Sequence, residues 1–356
     1  MMSLGFCGQC RTCLGGTGTQ GLIIGPLSWS PDGKWLVYSG RAGTCLIKAN
    51  PSGTDTTVMK EEKNGGLLLL PVWCLEKDAI VYEWVDEENC EIRRLCLSSG
   101  TEACIFKSQG EIRELRLSPD GRWVSFVLRE NDESNLYMLS VDGGTKPILL
   151  ANDVSGREYS HSWGPSGKVV AAIRHETNGA AHGDYLALIA IPDKKTTRLE
   201  GCGPRILAVE WSPNSDLIAY CARSEAGIDR IWFVHSDGSL PRACSSGSID
   251  LHPDWSPDGR LLAYVKTRRV DGGKPENRVF VMTRTGKEET ELHEVGPASA
   301  SFPKWSPDGH RIACIVTTPS GDGKFAMKVV VVQYASEAVG ETVGDFTEKE
   351  EASKKR

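Results

Sequence analysis

Two of the seven histidines in the 356-residue sequence stand just before a recurring tryptophan and are candidate metal ligands. His161 precedes Trp163 by two residues, and His252 precedes Trp255 by three. Imidazole nitrogens are common ligands of divalent cations, and a bound metal can activate water or polarise a substrate. Histidines at strand starts are also often only hydrogen-bonded, so the sequence leaves a structural role open for both.

Two further motifs resemble binding sites but lack the context that such sites need. Cys7, Cys10 and Cys13 could offer three thiolates to a metal, yet no spacing places a fourth ligand. Gly16–Gly21 matches the dinucleotide pattern Gly-x-Gly-x-x-Gly, which requires a strand before it and a helix after it, whereas Pro26 and a predicted strand follow. The sequence contains no Gly-x-Ser-x-Gly and no His-Glu-x-x-His. We therefore assign no catalytic residue, no metal ligand and no cofactor to these motifs.

A short phrase that recurs at a period of 44 to 50 residues organises the chain. Its aromatic or leucine position, which we call the motif position, is followed by Ser-Pro-Asp-Gly in four copies and by weaker versions in three. The motif positions are Trp29, Trp73, Leu117, Trp163, Trp211, Trp255 and Trp305. Proline sets φ for a turn and glycine supplies the positive φ, so the phrase predicts a hairpin between two strands. A period of this length corresponds to one blade of a β-propeller.

The residues after each turn alternate as β-strands do, and two more strands follow in each repeat. Leu36–Tyr38 and Leu262–Tyr264 show the pattern in the second strand, and Arg278–Met282 shows it in the third. The sequence therefore predicts an all-β, seven-bladed propeller of four-stranded antiparallel blades. A six-bladed ring with a partial repeat is the alternative.

The two ends of the chain predict how the ring closes. The last repeat has no convincing fourth strand after Val332, whereas Arg11–Leu14 resembles the fourth strand Thr197–Leu199 without a blade of its own. We predict that the N-terminal strand completes the seventh blade, so that residues 10–337 form one propeller. Residues 338–356 are a charged tail that we expect to be disordered.

The repeated Trp-Ser-Pro-Asp-Gly, followed by a large-small-aromatic strand, resembles the TolB-type, WD-like propeller repeat. It is also similar to the propeller domains of prolyl oligopeptidase-type proteins. The resemblance implies the fold strongly and the function weakly, because such propellers serve as interaction platforms, as gates over hydrolases and occasionally as enzymes. A metal-dependent carbohydrate lyase or lactonase is the alternative, with His161 and His252 as channel residues. Such an enzyme is expected to concentrate at least three histidine or carboxylate side chains at one channel mouth.

Composition narrows the possible partners. With 41 basic and 47 acidic residues, the formal net charge is −6, which gives no electrostatic footprint for nucleic acid. Apolar runs such as Leu67–Leu70 are far shorter than a membrane span. We expect a soluble, cytoplasmic protein, or a periplasmic or secreted one if the N-terminus is truncated. Nothing in the sequence indicates the oligomeric state.

Two loops of mixed charge provide the predicted partner surface. They run over 174–183 and 266–277, between the second and third strands of their repeats, and such loops share one face of a propeller. The sequence therefore predicts a non-enzymatic scaffold that binds a protein or peptide partner. The predicted contacts are Arg268, Arg269, His175 and His182. The competing interpretation is that these loops are tolerated insertions with solvated charges.

Overall fold

The computed structural model describes residues 24–75, 78–155, 159–176, 183–203, 205–247, 249–268, 275–293, 299–319 and 325–334. These ranges form an all-β, seven-bladed propeller with almost no helix, and a short 3-10 turn covers Arg41–Gly43. The seven-bladed prediction is confirmed, and the six-bladed alternative is wrong. Within the described part of the chain, no helix has the length and hydropathy that crossing a membrane requires.

The blades follow one another along the chain, and each is an antiparallel meander whose first strand lies at the ring centre. Blades 1 to 3 contain β1 (Ile24–Trp29), β2 (Leu36–Gly40), β3 (Cys45–Ala49), β4 (Thr56–Glu61), β5 (Leu67–Trp73), β6 (Ala79–Val85), β7 (Cys90–Cys96), β8 (Glu102–Ser108), β9 (Glu111–Leu117), β10 (Trp123–Glu130), β11 (Glu133–Ser140) and β12 (Ile148–Ala151). Blades 4 to 7 contain β13 (His161–Trp163), β14 (Val169–Glu176), β15 (Gly183–Ala190), β16 (Thr196–Arg198), β17 (Ile206–Trp211), β18 (Leu217–Arg223), β19 (Asp229–His235), β20 (Arg242–Ala243), β21 (Asp250–Trp255), β22 (Leu261–Arg268), β23 (Glu276–Thr283), β24 (Thr290–Glu291), β25 (Ser299–Trp305), β26 (Arg311–Pro319) and β27 (Phe325–Gln333).

The Ser-Pro-Asp-Gly turns adopt the predicted hairpin geometry. In blade 1 the Ser30 hydroxyl donates to Asp32 Oδ1 at 2.6 Å, and the Gly33 amide donates to the Ser30 carbonyl at 2.9 Å. Gly33 has φ +66°, a conformation in which a side chain is strained, so glycine is required at this place. The aspartate is therefore used inside the turn, where the serine hydroxyl holds its pKa below the ordinary value.

The second strand of each blade lies between two neighbouring sheets and forms most of the core. Tyr82, Tyr220 and Tyr264 stand at the same place in three blades, and their exposed fraction is zero. Burying an aromatic or branched side chain of this size contributes ~1.5–3 kcal/mol, so the repeated strand supplies much of the driving force for stacking the blades.

Innermost strands contact one another in chain order, and β1 returns to contact β25, which closes the inner layer of the ring. The Trp29 indole Nε1 donates to the Lys304 carbonyl at 3.1 Å, and the Arg311 guanidinium donates to the Gly33 carbonyl at 2.9 Å. Blade 7 is three-stranded within the described residues, in the order β25-β26-β27. The predicted closing strand Arg11–Leu14 and the tail 338–356 lie outside the described residues.

Both predicted loop boundaries between second and third strands were wrong. β14 continues to Glu176 and β15 begins at Gly183, so His175 is a strand residue that pairs with Asp184. Likewise β22 continues to Arg268, which pairs with Glu276. We placed the strand ends where the side chains become polar. The backbone hydrogen bonds of an antiparallel pair can continue beyond the apolar core, so polar side chains do not mark the end of a strand.

Candidate functional site

A cavity of about 490 Å³ opens at the end of the channel where the Ser-Pro-Asp-Gly turns lie, which we call the turn face. Its volume is within the usual range of ligand sites. In every blade, the residue directly before the motif position lines this cavity, and we call these seven residues the channel ring. The channel ring consists of Ser28, Val72, Arg116, Ser162, Glu210, Asp254 and Lys304.

The strand pattern explains why the channel ring faces the axis. Side chains alternate between the two sides of a strand, and the motif tryptophans are at most 8% exposed because they pack between blades. Four innermost strands also carry a β-bulge with positive φ at the third residue before the motif position, namely Leu70, Glu114, His252 and Phe302. The bulge re-aims these side chains and brings Glu114 into the cavity wall.

Two ion-pair groups lie in the polar half of the cavity, which blades 3 to 7 form. Arg116 bridges Glu114 and Glu210, with N···O distances of 2.6 and 2.5 Å, and Lys304 Nζ lies 2.6 Å from Asp254 Oδ1. Asp254 Oδ2 also accepts the backbone N–H of the next blade's motif residue. Three carboxylates therefore share two cations, and every one of these charges is paired inside the protein.

Burial and the neighbouring charges set the protonation states in this group. Burial opposes ionisation of Glu114, but Arg116 and His161 outweigh it and lower the pKa of Glu114 to about 2. Burial raises the pKa of Glu210 above its ordinary value, and Arg116 and Lys304 oppose that rise. Glu210 is therefore the carboxylate of this group that protonates most readily.

His161 lies behind the cavity wall, next to Glu114. Its Nε2 is 2.7 Å from the Ser125 hydroxyl, and its Nδ1 is 3.1 Å from a Glu114 oxygen. Ser125, His161 and Glu114 thus stand in the same order as the nucleophile, the base and the orienting acid of a serine hydrolase. Ser125 and His161 are at most 1% exposed, however, and Ser125 Oγ already accepts the Trp163 indole N–H at 2.8 Å. No substrate can reach the hydroxyl, so the arrangement acts as a buried polar support.

An aromatic layer lies against the cavity, and its member Tyr159 belongs to the cavity wall. His252 stacks on Phe302 with ring centroids 4.5 Å apart, and Tyr159 lies 5.4 Å from His252 and 6.2 Å from Phe302. Arg116 and Lys304 lie over the Tyr159 ring, at 5.3 and 5.8 Å from its centroid. Burial, with the nearby Lys304, lowers the pKa of His252 to about 4, so its imidazole is neutral at pH 7.

The opposite half of the cavity is apolar and belongs mainly to blade 2. Leu70, Pro71, Val72 and Leu75 line it. Leu75 occupies the place of proline in the blade 2 version of the turn, and it is 43% exposed, one of few large apolar side chains exposed in the described ranges. The cavity wall is therefore apolar on one side and charged on the other.

The structure places the sequence-predicted residues away from this cavity or behind its wall. His175 Nδ1 lies 3.0 Å from Asp184 Oδ1, and Arg268 forms an ion pair with Glu291 at 2.5 Å. Both belong to the strand ends opposite the turn face, while Arg269 and His182 lie outside the described residues. His161 and His252 do stand on innermost strands, but they have separate partners. The described residues contain no group of three or more histidine, cysteine or acidic side chains arranged to hold a metal.

Sequence reasoning missed the channel ring although the repeat contains the signal for it. The motif tryptophans are alike in six blades, whereas the residue before them changes from serine to valine, arginine, glutamate, aspartate and lysine. A position that varies in charge inside an otherwise uniform repeat indicates a surface that binds something other than the neighbouring blade.

No protein-family model matches the sequence. The chain is similar to a Tricorn protease homolog of Saccharolobus solfataricus, with 28% identity over 176 residues, which are 48% of this chain and 15% of that protein. It is also similar to an uncharacterized protein of Agrobacterium fabrum, with 31% identity over 153 residues, which are 42% of this chain and 49% of that protein. The chain thus spans at most about half the length of these relatives.

Solved structures share the fold at low sequence identity. An oligogalacturonate lyase of Vibrio parahaemolyticus superposes with a TM-score of 0.64 and 13% identity, covering 88% of this chain and 91% of that one. The propeller domain of the Trilobed protease from Pyrococcus furiosus gives 0.63 and 10%, covering 89% and 96%. TolB from Acinetobacter baumannii gives 0.52 and 18%, covering 74% and 62%. The predicted resemblance to TolB-type and peptidase-type propellers is confirmed at the level of the fold.

Proposed function

We propose that the protein is a non-enzymatic scaffold whose turn-face cavity binds a short segment of a protein or peptide partner. The observation that carries this proposal is the divided wall of the cavity. An apolar side formed by Leu70, Val72 and Leu75 faces a charged side formed by the channel ring. A segment that presents an apolar side chain next to a polar one complements both sides, which is how a few anchors give a small interface its affinity.

Lys304 is the side chain of the charged half with the most capacity left for a ligand. It is the most exposed member of the two ion-pair groups, at 23%, and it spends one of its three donors on Asp254. Arg116 is by contrast held by two carboxylates. The remaining Lys304 donors favour an acceptor oxygen of the ligand, either a carboxylate or a peptide carbonyl.

Selection from a displayed library of random peptides tests the proposal directly. Peptides are selected on the full-length protein, and each enriched peptide is then measured against Leu75→Asp and Lys304→Met. We expect enriched peptides to carry an apolar residue close to an acidic one, and each substitution to weaken binding at least tenfold. Arg260→Met is the matched control, because Arg260 lies in a turn of the same face and is 80% exposed. Peptides that bind all variants equally would show that the cavity is not the binding site.

The partner surface predicted from the sequence lies on the opposite face, and it is the second candidate binding site. Replacing Arg268 and Arg269 by glutamate reverses two charges without touching the core, so the fold should survive. If the selected peptides lose affinity for this double variant and keep it for Leu75→Asp, the partner binds at the strand ends around His175, His182 and the 266–277 segment instead.

A metal-dependent enzyme remains the alternative function, and one observation favours it. Glu114, Glu210 and Asp254 bring three carboxylates to one channel mouth, as such an enzyme would, although the described residues are not arranged there to hold one metal ion. Arg116 and Lys304 oppose it, because a divalent cation would have to displace them from contacts of 2.5 to 2.6 Å. Metal analysis of the pure protein decides the matter. A stoichiometric metal that is lost in His161→Ala, His252→Ala or Asp254→Asn would replace the scaffold proposal with the enzyme.

A further inference from the structure

Within the described residues, the outer edge of blade 7 differs from the outer edges of the other six blades. In those blades a fourth strand pairs with the third, whereas β27 is the outermost described strand of blade 7. A cavity of about 330 Å³ lies between β27 and blade 1. Its apolar lining includes Leu36 and Tyr38 of blade 1 and Met327, Val329 and Val331 of β27.

Burial along β27 shows that, among the described residues, no strand covers this cavity, which we call the groove. By strand register, Val329 and Val331 are equivalent to Val279 and Val281 of blade 6. Val279 and Val281 are at most 1% exposed, while Val329 and Val331 are only partly buried. Tyr38 shows the same difference, because it is half-buried while its counterparts in other blades have no exposure.

Blades 4 and 6 show what fills this position in a complete blade. Each has a leucine directly after its fourth strand, Leu199 and Leu292, and these are 3% and 6% exposed. The Leu199 amide donates to the Leu186 carbonyl and the Leu292 amide to the Val279 carbonyl, both at 2.9 Å. Leu199 belongs to the same apolar cluster as Tyr220, the counterpart of Tyr38 in the following blade. The leucine therefore covers the junction between its own blade and the next one.

We propose that the groove receives the chain's own N-terminal segment, Arg11–Leu14, as the fourth strand of blade 7, in the register that blades 4 and 6 share. Thr196–Leu199 and Glu289–Leu292 then correspond residue by residue to Arg11–Leu14. The Leu14 amide donates to the Val329 carbonyl, and the Leu14 side chain fills the cavity beside Tyr38. The opposed pairs are Leu14 with Val329, Cys13 with Val330, and Thr12 with Val331.

The length of chain before β1 fits this occupant. Between the fourth strand of one blade and the first strand of the next, the connections contain from two residues, 109–110, to nine residues, 152–160. Nine residues, 15–23, separate Leu14 from the start of β1 at Ile24. The segment can therefore reach the edge of β27 with a connection no longer than the one between blades 3 and 4.

A disulfide provides a register-specific test. In this register Cys13 and residue 330 form a non-hydrogen-bonded antiparallel pair, whose Cα atoms are ~4.5 Å apart, within the range for a disulfide. We expect mild oxidation of Val330→Cys to link residues 13 and 330 within a monomer, as read by peptide mapping under non-reducing conditions. Val331→Cys, whose side chain points to the other face, and Val330→Cys with Cys13→Ser are the controls. A folded Val330→Cys protein without this link, or with the link only between two copies, would overturn the proposal.

Hydrogen exchange tests the same strand in the unmodified protein. The outward amides of Val329 and Val331 should be protected in the full chain and exchange at least tenfold faster after removal of residues 1–15. Removal of residues 1–9, which spares the proposed strand, should leave them protected. Fast exchange of both amides in the full chain would show that the edge is unoccupied and would reject the proposal even if the cysteine variants fail to fold.

Discussion

Replacing Arg116 by methionine is the most informative perturbation of the cavity wall. The guanidinium is the shared partner of Glu114 and Glu210, and all three side chains are at most 15% exposed. Methionine keeps much of the volume but leaves two carboxylates without their cation in a desolvated site. Breaking a buried pair in this way costs ~3–5 kcal/mol.

The pKa of Glu114 predicts how this stabilisation depends on pH. Arg116 and His161 together outweigh the effect of burial and lower this pKa from its ordinary value of 4.5 to about 2. Because this pKa is lowered in the folded protein, the stabilisation is present above pH 4.5 and is lost as the pH falls toward 2. In Arg116→Met, burial instead raises the pKa of both carboxyls, so the variant recovers stability as they protonate.

Thermal unfolding followed by tryptophan fluorescence measures the effect. An unfolding entropy of ~2 cal/mol/K per residue over roughly 310 residues gives ~0.65 kcal/mol/K, so we expect Tm to fall by ~5–8 °C at pH 7. The difference between wild type and Arg116→Met should narrow as the pH is lowered to about 4. Arg260→Met, which removes an exposed ion pair with Asp258, should change Tm by less than ~1.5 °C. A variant as stable as wild type at pH 7, or a difference that widens on acidification, would refute the reasoning.

Three further predictions concern ring closure and thiol chemistry. Trp29→Phe removes the donor that joins blade 1 to the Lys304 carbonyl and should lower Tm by ~2–5 °C, whereas Trp305→Phe should cost less, because the Trp305 indole nitrogen has no hydrogen-bond partner. Equal losses in the two variants would contradict this assignment. Removal of residues 1–15 should lower Tm by several degrees and removal of 1–9 should not, as measured in the same unfolding assay. Among the described cysteines, Cys96 should be alkylated first by iodoacetamide at pH 7, because hydrogen bonds from Ser98 and Ser99 lower its pKa to about 7, while burial raises the pKa of Cys314 to about 12. Ser98→Ala should slow the Cys96 reaction, and faster labelling of Cys314 would contradict the prediction.

The fold could be predicted because its determinants are local and repeated. The proline and glycine of each turn specify a hairpin at each copy, and the period fixes the number of blades. The ends of β14 and β22 could not be predicted from the sequence. A strand that extends past the core is held by backbone hydrogen bonds to its neighbour, so its residues show no alternating apolar pattern. His175 and Arg268 were therefore assigned to loops although they lie in strands.

The candidate site was harder to predict because it is formed across blades. Arg116 and Glu210 are 94 residues apart in sequence and meet only because the ring brings blades 3 and 5 to one axis. His161 was predicted to lie near the channel, and the structure places it on an innermost strand with its ring turned into the core. The direction of that ring depends on Ser125 and Glu114 in the neighbouring blade, which no local pattern reveals.

A segment that enters the turn-face cavity between the turn prolines meets an aromatic surface, because Tyr159 lines the cavity and stacks on Phe302. Tyr159 and Phe302 are at most 7% exposed, so packing holds these rings in place and they offer a rigid face to an apolar side chain.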